Sequence, residues 1–243
     1  MKPVANRLVF IFAALICAVS AAAQTLSVEN TDPHYTEIGF FDIHLCNWPD
    51  RPPFYMALFS STQYQNIVGV RVYLPDGKPL GELDMTRYRT VALPGKPEKH
   101  VFIAHLPLPD KATDGWFSAT VNTRDGREIS AKDSVVHTLL HIARETVPAN
   151  EHEVPYPPHE LTWTSVPGAI HYTVTLRDVW DDNREILASE VVPAPGIPVP
   201  PGLLRKGGRY TWVIHARDSN GGLLLGDFNH GSVSAPQIFS VAP

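Results

Sequence analysis

The sequence predicts an all-β chain made of two β-sandwich domains behind an export signal. Three observations lead there. Apolar residues recur with period two in short runs, and turn residues bound each run. The 23 prolines among 243 residues are close to twice the average share of roughly 5%. An interior proline costs a helix about 3 kcal/mol, so few long helices are expected. Finally, residues 146–160, TVPANEHEVPYPPHE, hold four prolines and no apolar period, which marks a seam between two strand-rich halves. With 44% hydrophobic and 19% charged positions, the chain has enough apolar surface to offset the entropy of ordering, so disorder is excluded.

The elements follow in order. Lys2 and Arg7 open a basic start, residues 8–19 are an apolar run, and Ala21, Ala22 and Ala23 precede Gln24. This is the pattern of a cleaved secretory signal over residues 1–23, because the apolar run is shorter than the roughly 20 residues a membrane span needs. No later stretch is apolar enough to span a bilayer. A periplasmic or secreted protein of the bacterial envelope is expected. Loss of Lys2 and Arg7 takes the twenty basic side chains to eighteen against twenty-five acidic ones, a formal charge of −7. That sign repels phosphate backbones, and nucleic acid is excluded as a partner. Cys17 leaves with the signal, so Cys46 is the one remaining thiol and no internal disulfide is available.

The first sandwich is expected over residues 24–145. Val70, Val72 and Leu74 alternate before the Pro75-Asp76-Gly77 turn, Val101 and Ile103 alternate in HVFIAHLPL, and Asp125-Gly126 divides two period-two runs. Residues 134–144, SVVHTLLHIAR, fit either a helix or a last strand, and the strand is favoured. A proline-rich linker is expected over 146–156, and the second sandwich over 157–243. In that half Leu161 to Trp163, Tyr172 to Leu176, Tyr210 to Ala216 and Ile238 to Val241 alternate as strands, with Pro167-Gly168 turning between the first two. Five prolines in residues 191–202 cannot donate to a ladder, so an edge or a polyproline-like crossing is expected there.

The runs LTWTSVPGAIHYTVTLRD and LLRKGGRYTWVIHARDSNG, with a Phe-Ser-Val ending, resemble a fibronectin type III domain of the bacterial extracytoplasmic type over roughly residues 157–243. The resemblance implies a core tryptophan at Trp163, a buried Tyr172, and a tyrosine corner at Tyr210 with Leu204. The first half matches no family that its residues specify, and an immunoglobulin-like sandwich is the generic expectation.

Residues 40–59, FFDIHLCNWPDRPPFYMALF, are the densest unusual segment. His44, Cys46 and Met56 are a copper-type donor set, although a blue-copper site would place His and Met closely after the Cys. Alternatively, Ile43 and Leu45 face one side of a strand while His44 and Cys46 line the other. Trp48, Asp50 and Arg51 would then sit on a stiff proline-bounded loop, the composition of a binding hot spot. Asp178, Asp181, Asp182 and Asn183 could hold calcium or simply form an acidic hairpin, since the glycine and bidentate Glu of a calcium loop are absent. His137 and His141 would meet at one metal only on a helix. No nucleophile elbow, phosphate-cradling loop, dinucleotide fingerprint or His-Glu-x-x-His motif occurs. A hydrolytic carboxylate pair would meet only in space. The expected function is a non-catalytic module, without a required cofactor, that docks protein or glycan of the cell envelope. The alternative is periplasmic copper handling by His44, Cys46 and Met56.

Overall fold

The computed structural model describes residues 32–218 and 230–243. The export signal expected over 1–23 lies outside them. The first half supplies β1 (Tyr35–Thr36), β2 (Gly39–Asn47), β3 (Phe54–Ser61), β4 (Ile67–Tyr73), β5 (Pro79–Glu82), β6 (Tyr88–Val91), β7 (Lys99–Pro107), β8 (Gly115–Thr123) and β9 (Glu128–Val135). The second supplies β10 (His152–Val154), β11 (Glu160–Thr162), β12 (His171–Asp178), β13 (Arg184–Ala188), β14 (Gly196–Pro198), β15 (Arg209–Arg217), β16 (His230–Val233) and β17 (Gln237–Val241). One 3-10 turn, Tyr64–Asn66, is the single helical element among the described residues. The chain is all-β.

Turn chemistry sets the hairpins. Gly77 and Gly126 both sit at φ 83°, a left-handed conformation that costs glycine nothing and most residues about 1 kcal/mol. They close β4 on β5 and β8 on β9. The sheet β5-β4-β8-β9 then faces β2, β3 and β7 across a core of Phe41, Ile43, Leu45, Tyr55, Phe59, Val72, Phe117 and Val121. These are the period-two positions of each strand, as a sandwich requires. Buried Asp133 on β9 accepts a hydrogen bond from the Ile43 amide at 2.7 Å, tying the two sheets together.

The second half has its own core, centred on Trp163, Tyr172, Leu176, Tyr210, Trp212 and Phe239. The Tyr210 hydroxyl accepts from the Arg205 amide at 2.8 Å, the tyrosine-corner bond that the resemblance implies. The Tyr172 hydroxyl likewise accepts from the Val166 amide at 2.9 Å.

Two local expectations are corrected, and a third is met. Residues 146–156 are not a free linker, because their non-proline amides and carbonyls join the second half. Val147 bridges Thr162, Glu151 donates to Ile238 at 2.6 Å, and β10 runs parallel to β17. Residues 134–144 form neither a helix nor a full strand. β9 stops at Val135, and Leu140 then turns into the second core while its carbonyl accepts from Asn47 at 2.9 Å. The proline-dense stretch forms a true but minimal edge, β14, whose Ile197 pairs with Leu161 of β11 between prolines that cannot donate.

The two halves share one sheet. The edge of β15 away from β12 is divided, with Arg209–Trp212 pairing β17 and His215–Arg217 pairing β16. β16 continues parallel to β2 through His230↔Leu45 and Ser232↔Asn47. An eleven-stranded sheet results, ending at β6 in the first half. Among the described residues no helix is long and apolar enough to cross a membrane.

Candidate functional site

β2 ends at Asn47 and β3 begins at Phe54. Pro49, Pro52 and Pro53 lie between them and cannot donate to a ladder, so the chain leaves the sheet as a stiff loop. Arg51 folds back over that loop. It donates to both carboxylate oxygens of Asp50 at 3.2 and 3.0 Å and to Nδ1 of His105 at 3.1 Å. Its guanidinium carbon stands 5.0 Å from the Trp48 ring centre and 5.4 Å from that of Phe54, within cation–π range. Trp48 meets Phe54 edge-on at 5.0 Å and His105 at 5.3 Å. The loop residues singled out in the sequence, Trp48, Asp50 and Arg51, therefore come together, joined by Phe54 and His105.

His105 belongs to β7, opposite Met56 of β3. A guanidinium can only donate, so Nδ1 accepts and the ring proton is on Nε2. Partial burial, then the positive charges of Arg51 and Arg87, hold its pKa below the ordinary 6.5. It is neutral at pH 7 and offers a donor.

His105 also lines a groove of about 460 Å³ where β6 and β5 expose the outer edges of the two sheets. Ile103 and Leu106 form apolar lining, Arg87, Arg89, Glu82 and Asp84 supply charge, and Tyr88 supplies an aromatic wall. Tyr88 is half exposed yet held in place. Its ring stacks on His100 at 3.9 Å and 11°, and the far face of His100 carries Tyr64 at 3.5 Å and 11°. Glu82 is engaged by Arg71 at 2.8 Å. Asp84 accepts from the Thr86 hydroxyl and amide at 2.6 and 2.9 Å, bonds that hold its carboxyl below the usual range.

The strand of residues 39–47 reads as alternation allows. Ile43 and Leu45 enter the first core, while His44 and Cys46 turn to the opposite face, where both are buried. His44 and Met56 are directly cross-strand, but Cys46 pairs with Phe54, and His44 Nδ1 is bonded to Asp42 at 2.6 Å. Among the described residues no three His, Cys, Asp or Glu side chains converge on a possible metal ion. The calcium expectation also lacks its donors. Asp178 is paired with Arg205 at 3.0 Å and Asp181 with Arg184 at 2.6 Å, while Asp182 and Asn183 form the turn with φ of 52° and 55°. His137 bonds the Tyr55 hydroxyl and, at 3.1 Å, Asp114, so it is a structural link and not one of an imidazole pair. Since Cys46 is only 1% exposed, its thiol is expected to resist iodoacetamide in the native chain and to react fully in guanidinium. Rapid native labelling, read by intact mass, would contradict its place in the sheet.

The groove residues of β6 and β7 were not singled out in the sequence. His105 alone left a trace, as the polar residue at an outward position of HVFIAHLPL. Trp116 and Trp180 are exposed, but on other elements.

No protein-family model matches the chain, and no curated protein matches it. Among solved structures, it is similar to SGBP-B of the mixed-linkage glucan utilization locus of Bacteroides ovatus, solved with a heptasaccharide. That match has 10% identity over 81% of this chain and 42% of that one, with a TM-score of 0.23. The tandem Ig repeats of Dlar match at 11% identity over 84% and 98%, with a TM-score of 0.31. The latent dimeric PorU of Porphyromonas gingivalis matches at 14% over 84% and 20%, with a TM-score of 0.29. The chain spans under half the length of the first of these and a fifth of the last. At such scores none of them assigns a family or a ligand to this protein.

Proposed function

We propose that the protein is a non-catalytic binding module of the cell envelope that docks glycan chains in the groove beside Trp48. One observation carries this: Tyr88, half exposed and stacked on His100, lines an open polar groove, and His105 of that lining meets the Trp48 ring at 5.3 Å. Sugar rings offer an apolar C–H face for stacking and a rim of hydroxyls that both donate and accept. Ile103 and Leu106 beside guanidinium, imidazole and carboxylate groups meet both needs. The two groove carboxylates do not suit glycoside hydrolysis, which needs one acid with a raised pKa. Asp84 is shifted the other way, and Glu82 is engaged by Arg71.

In affinity electrophoresis of the full chain through gels containing neutral and acidic polysaccharides, at least one is expected to retard the wild type. The double variant Trp48→Ala, Arg51→Ala should lose that retardation by tenfold or more. Its melting temperature should stay within a few degrees, corresponding to roughly 1 kcal/mol. Because Trp48 is half-buried, Tyr88→Ala serves as the second probe. It removes a half-exposed ring at the other end of the groove and should also weaken retardation. Retardation unchanged in both variants would exclude this surface.

A further inference from the structure

We propose that the groove selects acidic glycans, chains whose sugar rings carry a carboxylate; this rests on the glycan-docking reading above. The charges in the groove are not evenly compensated. Glu82 is neutralised by Arg71, and Arg51 by Asp50. Arg87 and Arg89 have no ion-pair partner among the described residues, although Arg87 lies close enough to Asp84 and His105 to act on the charge of both. Arg89 is on β6, Arg87 closes the turn just before it with its amide donating to the Asp84 carbonyl at 3.0 Å, and both line the groove. His105 adds the Nε2–H donor fixed by Arg51, between the positive charges of Arg51 and Arg87.

Asp84 is the one groove carboxylate without an arginine bonded to it, and it is committed to Thr86. Charged donors therefore outnumber free carboxylates, and those donors are guanidiniums. A guanidinium fork matches a carboxylate in two parallel hydrogen bonds, which a hydroxyl cannot reproduce. The chain as a whole carries a formal charge of −5, so bulk attraction does not favour polyanions. Recognition of an acidic chain would have to be local, at these two arginines. Tyr88, buttressed by His100, also lines the groove.

The test runs the full chain through gels containing polygalacturonate or alginate, and through gels containing the same polymers with their carboxylates reduced to alcohols. The proposal expects at least tenfold stronger retardation by an acidic polymer than by its reduced form at 50 mM salt. The preference should shrink at 500 mM salt, because charge pairs at a surface are screened. Arg87→Gln with Arg89→Gln, both outside the core, should bring retardation down to the level of the reduced polymer with the melting temperature unchanged. Equal retardation by acidic and reduced polymers would overturn the acidic preference, yet leave the docking reading standing if Trp48→Ala, Arg51→Ala still abolishes it. A preference that survives the double glutamine variant would place the selecting charges elsewhere and overturn the proposal. Retardation by neither form overturns it as well, and the neutral panel then decides the docking reading separately.

Discussion

Trp163→Ala will destabilise the chain by about 3–5 kcal/mol, the range for truncating a buried aromatic. Trp163 is 5% exposed, directly after β11. It meets Tyr172 at 5.3 Å and 65° and Trp212 at 6.3 Å. Its amide donates to the Pro195 carbonyl at 3.1 Å, so the ring also anchors the small β11–β14 sheet over the main one. Removing it leaves a cavity bounded by rigid aromatic and β-branched neighbours that cannot collapse to fill it. For a chain of this size the loss corresponds to roughly 10 °C in melting temperature. Trp163→Phe should cost much less, because the buried indole N–H has no hydrogen-bond partner to lose. Guanidinium melts of both variants decide. An alanine midpoint equal to wild type would mean that Trp163 does not occupy this core.

The second half was legible because its information is local. Trp163, Tyr172, Tyr210 and Trp212 fall at the period-two positions of strands bounded by glycine turns, and the Tyr210 hydroxyl finds its partner only five residues away. Residues 146–156 were misread for a physical reason. Proline density reports which amides are missing, whereas Glu151 and β10 use the amides and carbonyls that remain, against a strand some ninety residues later. The joining of the halves was equally invisible, since β16 has four residues and pairs β2 across nearly two hundred positions. At the site, Trp48, Asp50 and Arg51 were visible as one dense segment. His105, Tyr88, Arg87 and Arg89 come from β6, β7 and the turn before β6, with no shared motif, and only the antiparallel register of β3 on β7 and β7 on β6 brings them together.

Stability will fall as pH drops from 6.5 to 4.5, by about 2–3 kcal/mol, and His215 will account for most of the loss. This residue lies mid-sheet on β15, between Thr173 of β12 and Val233 of β16. Burial of its ring, then the positive charge of Arg217 with its guanidinium 3.3 Å from Nδ1, then His44, push its pKa down to about 3. The groups facing it are thus Arg217, itself acted on by Asp42 and Cys46, and His44, which is bonded to Asp42. The unfolded chain takes up a proton on this imidazole below its ordinary value of 6.5, while the folded chain does not. Each pH unit below that point favours unfolding by about 1.4 kcal/mol.

His230 acts in the opposite direction without cancelling this slope. Burial lowers its pKa, but the 2.5 Å bond to Asp218 and the Val136 carbonyl outweigh that, and the folded value is raised. Its stabilisation is therefore complete below 6.5 and is lost only as pH rises through the folded value. Asp218 and Asp114 have folded values lowered from 3.8, so their contributions are lost mainly below about pH 4. Between 6.5 and 4.5 the histidine on β15 carries the larger share, and His105, whose folded value is also lowered, adds in the same direction. Denaturant midpoints of the wild type and His215→Gln, measured at half-unit steps from pH 7.5 to 4.5, should diverge below 6.5, with the variant losing little. Parallel curves would show that the acid sensitivity arises elsewhere and that His215 is not held neutral within the sheet.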